Sequence, residues 1–73
     1  MDQAQFEEIA GRYRDNLFAI AFQYTKNAAD ADDMAQIALI KCYQAKKPFE
    51  DEQHIRRWLI RVTVNECKRY LVS

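Results

Sequence analysis

The sequence predicts an all-α protein, and three observations predict it. The 73 residues contain one Gly and one Pro, too few for the turns a sheet protein needs. Apolar residues recur at steps of three and four over long stretches. Finally, 49% of residues are hydrophobic and 30% charged, the balance of a chain that folds. At this length one domain spanning 1–73 is expected, a small bundle of three helices with room for a fourth. Its core is modest, because a chain this short buries only about 60% of its unfolded surface.

The first helix rests on Phe6, Ile9, Ala10, Tyr13, Leu17, Ile20, Ala21 and Tyr24, which form one apolar stripe. Phe18 and Phe22 lie off it and either widen the buried face or mark a second contact surface. A break follows at Lys26-Asn27. Asn27 is placed to cap a second helix, with Asp30 in the first turn, where a carboxylate suits the positive end of the helix dipole. This helix runs to about Ala45. Its small residues Ala31, Ala35 and Ala38 permit a close neighbour, while Met34, Ile37, Leu39, Ile40 and Tyr43 surround most of the cylinder. Two faces must therefore be hidden, one of them by a partner. Lys46-Lys47-Pro48 stops the helix, because Pro disfavours helical geometry at the residue before it. Residues 49–53 connect to a third helix starting near Asp51–Gln53, which carries Ile55, Trp58, Leu59, Val62, Cys67 and Leu71. Its β-branched run Val62-Thr63-Val64 costs some helix propensity, which packing can override.

Net charge is zero, yet charge is unevenly spread. Residues 1–27 carry −1, residues 28–53 carry −3 and residues 54–73 carry +4. Such asymmetry suits one face for a basic or polar partner and another for an anion. The N-terminus lacks a basic segment followed by an apolar one, and no apolar run approaches the roughly 20 residues that span a bilayer, so no membrane insertion is expected. Cys42 and Cys67 lack CxxC spacing and read as reduced thiols of a cytoplasmic protein. His54, the sole histidine, has no Cys/His cluster to make it a metal ligand. No glycine-rich phosphate loop, nucleophile set or carboxylate pair is legible. Neither an enzyme nor a cofactor is expected.

Three constellations remain. Asp33, Gln36, Ile40 and Tyr43 share one side of the second helix, an acid-amide end followed by apolar anchors that would suit a basic amphipathic helix. The alternative is a solvated first turn favoured by the dipole. On the third helix Arg57, Arg61, Asn65 and Lys68 follow at steps of four, four and three. The cations can neutralise phosphates, the amide can read a base edge, and Trp58 beside Arg57 can stack on a base. The alternative is a solvated face with Trp58 in the core. The loop Phe49-Glu50-Asp51-Glu52-Gln53-His54 offers an aromatic wall for an unstacked base, although its three acids repel phosphate or merely cap the helix.

The run from Asn27 to Gln36, then Lys41-Cys42-Tyr43, Phe49 and Trp58 through Asn65, resembles region 2 of extracytoplasmic-function sigma factors over residues 6–72. Singly these elements are degenerate; their order and spacing together are specific. The resemblance implies a helical domain that binds the clamp helices of the largest subunit of core RNA polymerase. It also implies capture of unpaired non-template bases of the promoter −10 element, and an anti-sigma factor as a further partner. It assigns Asp33 and Gln36 to polymerase binding with Leu39 and Tyr43 farther along, Asn65 to the base pocket, and Phe49 to the opening of the recognition loop. Ile40, Arg57, Trp58, Arg61 and Lys68 are added from the spacing. Two departures stand out. The family usually follows the aromatic with a basic residue and a glycine, where Glu50-Asp51-Glu52 stands here, and Arg69 replaces a frequent acid four residues after the asparagine. Region 4, which reads the −35 element, is missing, and no helix stop precedes Ser73, so an excised or truncated domain is expected. The competing expectation is a sigma-like protein-interaction module that has lost DNA reading.

Overall fold

The computed structural model describes residues 1–72, so the expected lack of a helix stop at Ser73 lies outside the described residues. Three helices occupy them: α1 (Gln3–Thr25), α2 (Ala28–Gln44) and α3 (Glu52–Val72). Each helix packs on the other two in a body of 31 × 20 × 18 Å. Residues 45–51 form no fourth helix, which settles the three-helix alternative.

Side-chain caps set the boundaries. Asp2 accepts from the Gln5 amide at 2.8 Å and opens α1. Lys26 closes it with φ 55°, a left-handed position an L side chain adopts at some cost. Asn27 then caps α2, accepting from the Asp30 amide at 2.9 Å, as the sequence led us to expect. Asp51 accepts from the His54 amide at 2.8 Å and caps α3. The turn between α1 and α2 is therefore short and fixed.

The alanines of α2 do what their size allows. Ala31, Ala35 and Ala38 are fully buried, so the backbones of its neighbours approach closely. The larger of two core clusters joins Ile9, Tyr13, Leu17, Ala35, Ala38, Leu39, Cys42, Ile55 and Leu59. A smaller one holds Ala21, Ala31 and Cys67, flanked by Phe18, Tyr24 and Met34. Phe18 thus widens the buried face, whereas Phe22, stacked on it at 6.0 Å, stays 40% exposed. Both cysteines are free and buried, and burial raises both thiol pKa values. Among the described residues no helix is long and apolar enough to cross a membrane.

Candidate functional site

On α2 the outward side carries Asp33, Gln36, Ile40 and Tyr43, all exposed. Large apolar side chains in water are the unusual part: Ile40 is 51% and Tyr43 43% exposed. The Tyr43 ring rests on Phe6 of α1 at 4.8 Å between centroids, which limits its rotamers. Gln36 is also held, donating Nε2 to Asp32 Oδ2 at 2.7 Å, while Asp32 accepts from Arg14 Nη2 at 3.2 Å. Asp33 makes no hydrogen bond or ion pair with the described residues, so its charge points outward uncompensated. Asp32 and Phe6, which sequence reasoning left out of this surface, are its supports. Asp32 could have been suspected from its i,i+4 spacing to Gln36.

The fold turns Leu39, which the resemblance assigns to polymerase binding, inward. This residue is only 5% exposed and packs in the larger core cluster. Its neighbour Ile40, one position around the helix, faces out instead. The sequence could not separate them because α2 is apolar on both sides.

On α3 the exposed Arg57, Arg61, Asn65 and Lys68 run along one side, as their spacing requires. Four other helix-borne cations are paired: Arg12 with Glu8 and Glu52, Arg14 with Asp32, and Lys41 and Arg69 with Glu66, whereas Arg56 on α3 is not. Among the described residues no carboxylate lies within ion-pair reach of Arg57, Arg61 or Lys68. Asn65 and Lys68 also line a groove of about 490 Å³ with Lys41, Val62, Glu66 and Arg69. The sequence reading had left Lys41, Glu66 and Arg69 out of any site.

The loop is more ordered than its composition suggests. Phe49 is half-buried, edge-on to Trp58 at 5.5 Å and to His54 at 5.1 Å. His54 Nδ1 accepts from the Glu50 amide at 3.1 Å, so the imidazole latches the loop backbone over its own helix start. Trp58 is itself half-buried and packs on the core, which divides its ring between the interior and the surface. Of the three acids, Asp51 is the helix cap. Glu52 accepts from the Tyr13 hydroxyl at 2.8 Å and pairs with Arg12, and these two hydrogen bonds hold its carboxyl below the usual range. Glu50 is the acid left to solvent.

An outward α2 ridge, a cationic α3 stripe and an aromatic loop between them can be set beside known proteins. The profile of sigma-70 region 2 matches residues 9–73. The chain belongs to the sigma-70 region 2 family. This region 2 domain is 33% identical over 72 residues to the ECF RNA polymerase sigma-E factor of Escherichia coli K12. It is 32% identical to that of Salmonella typhimurium LT2 and 29% identical to the RNA polymerase sigma-H factor of Pseudomonas aeruginosa. In each case the match covers 99% of this chain and 37% of the relative's length. No solved structure matches the chain. The resemblance read from Asn27–Gln36 and Trp58–Asn65 is thus to the right family.

Proposed function

We propose that this region 2 domain is a non-catalytic module of transcription initiation in the cytoplasm, docking on core RNA polymerase through α2 and holding melted promoter DNA through α3. Asp33, Gln36, Ile40 and Tyr43 form the docking ridge, suited to a basic amphipathic helix such as the clamp helices of the largest subunit. Arg57, Arg61 and Lys68 take phosphates of the single-stranded non-template strand of the −10 element. Asn65 offers a paired donor and acceptor to an exposed base edge. Phe49 and Trp58, already edge to face, form the wall against which an unstacked base rests. Unstacking costs a few kcal/mol. Stacking on an aromatic returns about 1–3 kcal/mol per base, so the phosphate contacts tip the balance.

The observation that carries this reading is the uncompensated charge of Arg57, Arg61 and Lys68 in a chain whose other helix-borne cations largely hold carboxylates. With a net charge of zero, affinity for free DNA is weak and depends on polymerase holding the strands apart. The test is binding of promoter single strand in the presence of polymerase. Asn65→Ala is expected to weaken binding by roughly ten-fold, the scale of one lost base-edge contact, and to relax base preference. Unchanged affinity and preference would remove Asn65 as the reader. In a polymerase pull-down, Asp33→Arg combined with Gln36→Ala is expected to abolish capture; retained capture would remove the ridge.

The alternative, a sigma-like interaction module bound for instance to an anti-sigma factor and no longer reading DNA, rested on the acidic loop. Capping by Asp51 and pairing by Glu52 account for two of those acids, which weakens it. Polymerase binding without any −10 preference would restore it.

A further inference from the structure

Glu66 is the sole acid among residues 54–73 and sits inside the most cationic part of the molecule. Its side chain is only 12% exposed, pulled into the groove between α2 and α3, where Lys41 Nζ and Arg69 Nη1 both bond the same oxygen, the latter at 3.2 Å. Lys68 and Asn65 line the same groove, so its three cations and one carboxylate sum to a local charge of +2. A groove of about 490 Å³ lies within the roughly 300–1,000 Å³ usual for ligand sites, enough for a nucleotide unit and more than a lone ion needs. A carboxylate held by an ammonium and a guanidinium has the charge and acceptor geometry of a bound phosphate.

We propose that Glu66 is an internal stand-in for a nucleic-acid phosphate, and that Lys41, Lys68 and Arg69 form a second phosphodiester seat that opens when the backbone of a single strand displaces it. This extends the cationic track from α3 onto α2, and it rests on the reading that the α3 face takes single-stranded DNA. Lys41 and Arg69 are both about half or more exposed, so their pairing with Glu66 is of the weak, screened kind. A phosphodiester presents its charge on two oxygens and brings a neighbouring phosphate towards Arg61, whereas Glu66 brings nothing further. The masking also gives a physical reason for poor binding to loose DNA: two of the cations at this groove are occupied until a strand is delivered at high local concentration.

The experiment measures affinity of the chain for a fluorescent oligothymidylate over a range of salt, in wild type, Glu66→Gln, Lys41→Gln with Glu66→Gln, and Glu7→Gln. Glu7 is an exposed acid on α1 whose one hydrogen bond is to Gln3, so it changes net charge equally at a remote place. Glu66→Gln keeps shape and is expected to bind three- to ten-fold tighter. Its log–log salt slope should steepen by about 0.7 for each additional phosphate engaged. The double variant should lose most of that gain, and Glu7→Gln should show none. Equal tightening by Glu7→Gln, or a gain that survives Lys41→Gln, would overturn the seat and reduce the effect to net charge. Circular dichroism on each variant separates loss of fold from loss of binding. Unchanged affinity in a folded Glu66→Gln, alongside normal wild-type binding in the polymerase complex, would sink this inference alone. Absence of wild-type binding even there would instead sink the proposed function.

Discussion

Thr63 is the residue whose chemistry fits its surroundings least. It is fully buried on α3, and its hydroxyl has no hydrogen-bond partner among the described residues. A buried hydroxyl without a partner costs about 1–3 kcal/mol relative to one left in water. Valine has nearly the same shape and no such group. Thr63→Val is therefore expected to stabilise the domain by about 1 kcal/mol, which for a domain of this size raises Tm by about 4–8 °C. Thermal unfolding followed by circular dichroism reads this directly, and an unchanged or lower Tm would show that the hydroxyl is satisfied. The position also marks a limit of sequence reading. Val62-Thr63-Val64 announces only a cost in helix propensity; which of the three turns inward depends on the rotation of α3 against α1 and α2. Leu39 and Ile40 teach the same lesson on α2. When apolar residues surround a helix, periodicity no longer says which one faces the core.

Among elements, the start of α3 is the best-anchored joint. Glu52 bonds both Tyr13 and Arg12 of α1, and Asp51 caps the helix beside it. The two hydrogen bonds lower the Glu52 carboxyl pKa and raise those of Tyr13 and Arg12, the mutual signature of a shared interaction. For a carboxyl whose folded pKa is depressed, the stabilisation is present above its unfolded value near 4.3 and is lost as pH falls through the folded value. Glu52→Gln is therefore expected to be less stable than wild type at pH 7, with the gap narrowing at pH 3, as urea unfolding at the two pH values would show. A gap of equal size at both would mean that the charge of Glu52 contributes nothing. Much at this scale was legible in the sequence. The break at Lys26-Asn27, the cap at Asn27, the stop before Pro48 and the acidic start of α3 all rest on local chemistry that acts within a few residues. Pairings across 39 and 40 positions, such as Tyr13 with Glu52 and Tyr70 with Asp30, leave no local trace, so the sequence alone leaves open whether the loop acids repel phosphate or cap the helix.

The whole molecule is asymmetric along its length, and the two thiols report on it. Cys42 sits in the nine-residue cluster that Ile9, Tyr13 and Leu17 of α1, Ala35, Ala38 and Leu39 of α2, and Ile55 and Leu59 of α3 build with it. Cys67 sits at the other end with Ala21 and Ala31, a cluster of small side chains completed by partly buried Phe18, Tyr24 and Met34. Hydrophobic stabilisation follows the apolar area removed from water, so the second end is held by less of it. Local opening takes place where buried contacts are fewest, and the last turn of α3 lies there. Burial raises the pKa of both thiols, so neither reacts appreciably until its cluster opens. Pulse modification with a thiol reagent under native conditions, resolved by mass spectrometry, is expected to label Cys67 before Cys42. A difference of about 1.4 kcal/mol in opening free energy makes that ratio ten-fold. Equal rates would mean that the bundle opens only as one unit. The ordering bears on the proposed function because the docking residues Ile40 and Tyr43 and the loop aromatic Phe49 belong to the half with the larger core, while Asn65 and Lys68 flank Cys67. The apolar anchors of the ridge and the aromatic wall thus rest on the larger core, so the far end of α3 could adjust to a strand without loosening either.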